Sequence, residues 1–323
     1  MIANLYLHKD AFEYNGTDSQ DQVIDKLRSF ADDMRDIVFS HTDENVFCVS
    51  SEVLTCEVFS GVPLINSISS YLDGDQVAIM FSVLANQSEE YSHSLEELKS
   101  MARYRPGEES VTSIVYLNKP KTERDLTHYI QFDDYEIVYD KSSWITLRRQ
   151  ILGNHPGTPD SFIQDCGKCF TNLTFHSHCV DSLQDDYYQY LDVIPRKIVY
   201  YLSCLNDGFK TIRNRHIGTA PDANSILSDF SGCYGLDEPG SIERDPVKKA
   251  SLTYIFTKTE CGPGEDRNVP MLCEPHLKIS QPDPNREGGI DYKTFHPRIY
   301  FHFGDKKVEG GKLLVGSIGA HVS

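Results

Sequence analysis

The spacing of hydrophobic positions changes several times along the chain, and each change predicts an element. Residues 4–8 alternate, with Leu5 and Leu7 on one side of Tyr6, which predicts a strand. Over residues 19–39, Val23, Leu27, Phe30, Met34 and Ile37–Val38 recur at spacings of three and four, the signature of one buried helix face. Asp21 and Asp25 suit the positive N-terminal end of that helix. Val46–Val49 is a short strand-like run, and Leu54–Leu84 reads as helical segments broken at Gly61-Val62-Pro63 and Asp73-Gly74-Asp75. Leu95–Met101 predicts a further helix and Ser113–Leu117 a further strand. The alternation of types is an α/β pattern, yet neither GxGxxG nor GxxxxGK[ST] follows any of its strands.

A polar stretch at Pro120–Asp125 predicts a division into residues 1–120, an α/β sensor or regulatory domain, and residues 121–323. Beyond it, Tyr129–Phe132, Glu136–Tyr139, Trp144–Leu147 and Phe170–Phe175 read as strands. Tyr187–Ile212 carries a helical stripe of Tyr190, Leu191, Ile194, Ile198, Tyr201, Leu202 and Leu205, in which Pro195 predicts a kink or break. Leu252–Thr257 alternates as a strand. His276–Ile279, Arg298–Phe303 and Lys312–Ser317 then read as three strands, separated by a loop at Gln281–Gly289 and a turn at Gly304–Gly311. The expected fold class is α+β: an N-terminal α/β portion, then a mixed portion ending in a short antiparallel sheet, with 252–323 as its candidate catalytic part.

Composition narrows the setting. Hydrophobic residues at 39% and aromatics at 11% are enough for a core, which argues against global disorder. The longest apolar runs, such as Ile198–Leu205, are too short to cross a bilayer, and the N-terminus lacks the charged and apolar regions of a signal peptide. Nine cysteines without dense framework spacing point to a reducing cytoplasm, with Cys48, Cys56 and Cys204 as small buried hydrophobes.

Charge changes the picture more than composition does. Residues 246–323 hold eleven Lys or Arg against nine Asp or Glu, or +2, so the net −17 leaves −19 on the first 245. An acidic body disfavours broad nonspecific binding to nucleic acid, because repulsion of phosphate acts over a Debye length of about 8–10 Å. The C-terminal segment is set apart from it.

That segment holds the main chemical candidates. Strand alternation places His276 and Lys278 on one face, with Leu277 and Ile279 on the other. By the same rule Arg298, Tyr300 and His302 share a face, opposite Ile299, Phe301 and Phe303, and His321 can return to the same edge. Metal-independent RNA cleavage needs such groups. A base takes the 2′-hydroxyl proton, a protonated His supplies one to the leaving oxygen, and Arg and Lys stabilise the phosphoryl charge. The same pattern fits a three-stranded sheet whose polar face is simply solvated, the side chains serving as cross-strand pairs.

The succession of a His-x-Lys strand, an Arg-x-Tyr strand and a strand closing on a histidine resembles the small bacterial toxin ribonucleases of the RelE and barnase–EndoU–colicin type. The resemblance covers about fifty residues and rests on Lys278, Arg298 and Tyr300, with His321 more loosely placed. It implies a toxin-like ribonuclease in a bacterial antiphage or abortive-infection system, with no metal required. Lys278 and Arg298 would neutralise phosphate, Tyr300 would position or stack on a base, and His276 or His321 would transfer the proton. The N-terminal 240 residues have no counterpart in that family, and by analogy form a sensor portion. The alternatives are a noncatalytic sensor or adaptor that binds a protein partner through its acidic face, and a metal-dependent nuclease using Glu274 and Asp291.

A second cluster joins Cys166-Gly-Lys-Cys169 to His176-Ser-His178-Cys179. Zinc takes four tetrahedral ligands, and Cys166, Cys169, His176 and Cys179 are a candidate set, although only six residues separate the two pairs. Redox use of the CxxC, burial of inert thiols, or a part for His176 or His178 in the C-terminal site are the other readings. Asp185, Asp186 and Asp192 fall at a predicted helix start, where acids are expected. Asp32, Asp33 and Asp36 lie on the polar face of the first long helix, and no GxSxG elbow surrounds Ser60 or Ser231.

Overall fold

A computed structural model describes residues 2–14, 16–40, 45–86, 88–102, 110–115, 117, 137–138, 140–187, 194–218, 222–260, 266–279 and 297–319. The polypeptide divides into two units, 1–151 and 152–323.

The first unit is organised by β1 (Ile2–Leu7), flanked in chain order by α1 (Lys9–Phe12), α2 (Gln20–Ser40) and β2 (Asn45–Ser50). The hairpin β3 (Glu57–Phe59) and β4 (Val62–Pro63) follows, then α3 (Leu64–Tyr71), α4 (Gly74–Phe81), β5 (Ser88–Tyr91), α5 (Leu95–Met101), β6 (Ser110–Val115) and β7 (Ile137–Val138). The strand order is β5-β2-β1-β6-β7 and every pairing is parallel. In order of appearance this is 3-2-1-4-5, a doubly wound sheet whose direction of winding reverses at β1. Both faces are covered, which explains why the central strands are apolar at nearly every position. Ala3, Leu5, Leu7, Val49 and Val115 pack with the buried stripe of α2 (Val23, Leu27, Phe30, Met34, Ile37), while Tyr6, Cys48 and Ile114 pack on Leu98 and Ala102 from the α5 side. The start of α2 is fixed by reciprocal bonds: the Ser19 N–H donates to Gln22 Oε1 at 2.8 Å and the Gln22 N–H to Ser19 Oγ at 3.4 Å.

Three expectations for this region are corrected. Leu54–Leu84 breaks around Gly61-Val62-Pro63 and at Asp73 as its pattern predicts, but the stretch before the first break ends in the strand β3 rather than a helix, and the β3–β4 hairpin turns at Gly61, whose φ of 69° suits glycine. Trp144–Leu147 lies not in a strand but in α6 (Lys141–Asn154), started by the Ser143 N–H donating to Asp140 Oδ1 at 2.7 Å. Trp144, Leu147 and Ile151 recur at helical spacing and are buried in the first unit's core, which carries that unit past residue 120 to 151. Tyr129–Phe132 lies outside the described residues.

The second unit contains α7 (Pro159–Cys169), β8 (Leu173–Phe175), α8 (His178–Tyr187), α9 (Ile194–Arg215), α10 (Ala223–Cys233), β9 (Ser241–Ile242) and α11 (Pro246–Ser251). It ends in β10 (Thr253–Thr257), β11 (Asn268–Leu272), β12 (Pro275–Lys278), β13 (Arg298–His302) and β14 (Leu313–Gly319). Its sheet order is β8-β14-β13-β12-β9, antiparallel except for the parallel pair β14–β8. One face (Leu277, Ile299, Phe301, Val315, Ile318) joins the apolar faces of α7, α9 and α10 in one core. The molecule is thus α+β, with an α/β portion first and a short, largely antiparallel sheet at the C-terminal end.

Pro195 is the second residue of α9 as described, and residues 188–193, on which the expected kink or break also bears, lie outside the described residues. Asp185 and Asp186 fall at the end of α8, not at a helix start, and Asp192 lies outside the described residues.

Candidate functional site

Strand pairing brings four of the five C-terminal candidates together. His276 lies opposite Tyr300 and Lys278 opposite Arg298, and the row continues from Ser241 through His276 and Tyr300 to Ser317 on one face. His321 and Asp291 lie outside the described residues. The facing matches the alternation rule, but the solvated polar face is corrected. Tyr254 and Phe256 of β10, with Cys273, Val308 and Leu314, pack on Tyr300 and cover that part of the sheet. Tyr300 is 0% exposed and His276 3%, with ring centroids 4.9 Å apart. A phenol enclosed in this way cannot stack on a base in this conformation.

The chemistry of His276 follows from its burial. Its Nδ1 lies 3.3 Å from the Glu274 carbonyl and its Nε2 3.1 Å from Ser241 Oγ. The carbonyl can only accept, so Nδ1 carries the proton and Nε2 accepts from the serine. Burial pushes the imidazole down to about 4; the Glu274 carbonyl opposes the shift, and the nearby charges of Arg298 and Lys278 add to it. At neutral pH His276 is uncharged, so it can accept a proton but cannot serve as the cationic acid. Around it, Lys278 pairs with Glu238 at 3.7 Å and Lys249 with Glu274 at 2.6 Å. Burial alone would raise Glu243, but the amides of Asp245 and Arg244, together with the charge of Arg298, hold it below the usual carboxylate value. The Nε and Nη1 of Arg298 are buried without a hydrogen-bond partner among the described residues.

The cysteine cluster resolves into core. Cys166, Cys169 and Cys179 are buried in the apolar cluster of the second unit, and burial pushes the Cys166 and Cys179 thiols far up. The Cys179 thiol donates to the Val315 carbonyl at 3.5 Å. His176 instead faces Tyr254 and Phe256, with ring centroids at 5.1 and 5.5 Å. Among the described residues, no group of three or more His, Cys, Asp or Glu side chains is arranged to hold a metal ion.

The site that sequence reasoning missed lies in the first unit. The carboxyl ends of β1, β2 and β5 open on a cleft of about 530 Å³ lined by His8, Ser50, Ser51, Glu52, Glu90, Tyr91, Ser92 and His93. In doubly wound sheets, ligands bind outside the carboxyl ends of the strands near the point where winding reverses, and β1 is that strand here. His8 caps α1: the Asp10 N–H donates to its Nδ1 at 3.3 Å, whereas the Asp10 carboxylate stands 3.6 Å away, too far for a good hydrogen bond. Nδ1 is thus the acceptor and Nε2 carries the proton. Burial lowers the imidazole's pKa, with Lys9 assisting and Asp10 and Glu52 opposing, which keeps it neutral. Tyr91 donates to the Leu7 carbonyl at 3.1 Å, packs edge-on against Tyr6 at 5.0 Å and stacks on His93 at 6.1 Å. Lys9 is ion-paired with Glu52, and beyond that pair lies a second cleft of about 410 Å³ lined by Glu13, Tyr14, Thr55, Cys56 and Glu57. One signal was present in the sequence: polar residues directly follow apolar strands at Leu7-His8 and Val49-Ser50-Ser51-Glu52.

Comparison of the chain with protein-family models, with curated proteins and with solved structures finds no match.

Proposed function

We propose that the protein is a ligand-responsive binding protein whose first unit recognises a small polar molecule. One observation carries this reading: three adjacent parallel strands end on one polar cleft, at the place where doubly wound sheets hold ligands. The lining is neutral imidazole, hydroxyl and carboxylate, which suits recognition by hydrogen bonds. The acidic first 245 residues suit contact with a basic protein partner, and the cysteine content suits a cytoplasmic setting. No described helix is long and apolar enough to cross a membrane. The test is a ligand panel read by the ring signals of ¹⁵N-labelled histidine. A ligand that moves His8 and His93 together, and fails to bind His8→Ala, supports the reading. Movement confined to histidines of the second unit overturns it.

A second reading, a toxin-like ribonuclease of bacterial antiphage defence, is favoured by Arg298. Two buried guanidinium donors without a partner among the described residues, beside Lys278, suit a phosphate oxygen. His276 would serve there as a neutral base, and His321 would have to supply the acid. RNA cleavage that survives EDTA and is lost in Arg298→Ala supports this reading. Intact RNA in both lanes removes it, and cleavage abolished by EDTA replaces it with a metal-dependent nuclease.

A further inference from the structure

The cleft of the first unit is specific in what it offers and in what it lacks. His8 is a nine-tenths buried side chain whose Nδ1 is taken by the Asp10 amide. Its Nε2–H has no hydrogen-bond partner among the described residues, and the residue lines the cleft, so this donor is free for a ligand acceptor. Two carboxylates share the lining. Glu52 gives its charge to Lys9, whereas Glu90 has no ion-pair partner among the described residues and keeps both oxygens to accept from a ligand. A carboxylate with two free oxygens matches two adjacent hydroxyls, each of which donates one hydrogen bond. The Tyr91 and His93 rings, stacked with their planes 25° apart, place an aromatic pair in the lining on which a flat ligand ring can continue the stack. Phosphate is disfavoured: among the described residues no lysine, arginine or glycine lines this cleft, the neighbouring Lys9 is already paired, and the carboxylates repel an anion.

We propose that this cleft takes an unphosphorylated nucleoside, with Glu90 accepting from the ribose 2′- and 3′-hydroxyls, the base against Tyr91 and His93, and His8 donating to a ligand acceptor. The proposal rests on the reading of the first unit as a recognition part. It adds a specific division of labour, in which the diol is read by Glu90 and the flat ring by the aromatic pair.

The experiment uses the full chain with ¹⁵N-histidine and titrates adenosine, 2′-deoxyadenosine, free ribose, adenosine 5′-monophosphate and spermidine. Adenosine is expected to shift the His8 and His93 ring signals, 2′-deoxyadenosine to bind at least about tenfold more weakly, and the 5′-phosphate to give no gain. Glu90→Gln, an exposed position that leaves the fold alone, should weaken adenosine about tenfold and abolish the preference over the deoxy form. Equal binding of the deoxy form, tighter binding of the monophosphate, or ribose binding as well as adenosine would each overturn the nucleoside assignment. Spermidine shifting the same two signals in place of adenosine overturns the assignment and leaves the cleft's binding role standing. If none of the five moves either imidazole, both the assignment and the recognition reading fall.

Discussion

His276 should make the second unit sensitive to mild acid, and the size of the effect follows from its surroundings. The imidazole is 3% exposed and its pKa is pushed down to about 4, against 6.5 for the unperturbed group. Above pH 7 neither folded nor unfolded chain is charged at this residue, so it contributes nothing to pH dependence. As pH falls through 6.5 the unfolded chain takes up a proton that the folded chain refuses, so stability must fall. The loss accumulates until about pH 4, and between pH 7.5 and 5 it amounts to about 2 kcal/mol. Glu243, Glu274, Lys278 and Arg298 lie around the same ring. His8, His155, His176 and His302 also have lowered values and add to the total, so the comparison must be with His276→Gln. Hydrogen exchange at the β12 and β13 amides, corrected for intrinsic rates, reads the right unit. The sole tryptophan, Trp144, is buried in the other one. The native chain should lose about 2 kcal/mol more protection than His276→Gln on going from pH 7.5 to 5. An imidazole titrating near 6.5 by NMR, or equal losses in both proteins, would refute the argument.

Three further outcomes test the packing. A Cβ at Gly316 would run into the Tyr254 ring and come within 3.0 Å of Cys273 Sγ, so Gly316→Ala should cost roughly 1–3 kcal/mol, seen as early melting of the second unit alone. Asp73 caps α4 by accepting from the Gln76 N–H at 3.0 Å in a reciprocal capping box; Asp73→Ala should cost about 1 kcal/mol, read by Trp144 fluorescence in urea. Cys233 is the exposed thiol among the described cysteines, and mass spectrometry after alkylation of the native protein should find it modified well before Cys166, Cys169 or Cys179. Equal labelling of those three would show that their burial is wrong.

Much of the second unit's sheet was legible because alternation survives burial on both faces. Leu277, Ile299 and Phe301 point into the helical core as their spacing requires, and His276 pairs with Tyr300 on the other side. Whether that other face meets water was not legible. It depends on Tyr254 and Phe256 arriving from β10, a contact that no local period encodes. The helix at Lys141–Asn154 was misread because Trp144, Ile145 and Thr146 are β-favouring residues, and its buried positions only show their spacing when Ile151 is included. The cleft escaped for a different reason. Ser88–Tyr91 has no apolar alternation, so β5 was not expected, and without it His8, Glu52 and Glu90 have nothing to bring them together.

The parallel pair β8–β14 also bears on how the chain acquires its shape during synthesis. Leu173 pairs with Leu313 and Phe175 with Val315, so the edge at β8 stays open until β14 has left the ribosome. Until then, the apolar faces of α7, α9 and α10 lack the Val315 and Ile318 side of their core and stay exposed as aggregation-prone surface. The first unit meets no such delay, since the strands of its sheet all lie before residue 139 and can assemble while the rest is still being made. A ribosome stalled before residue 313 should therefore display a finished first unit and a protease-sensitive second one.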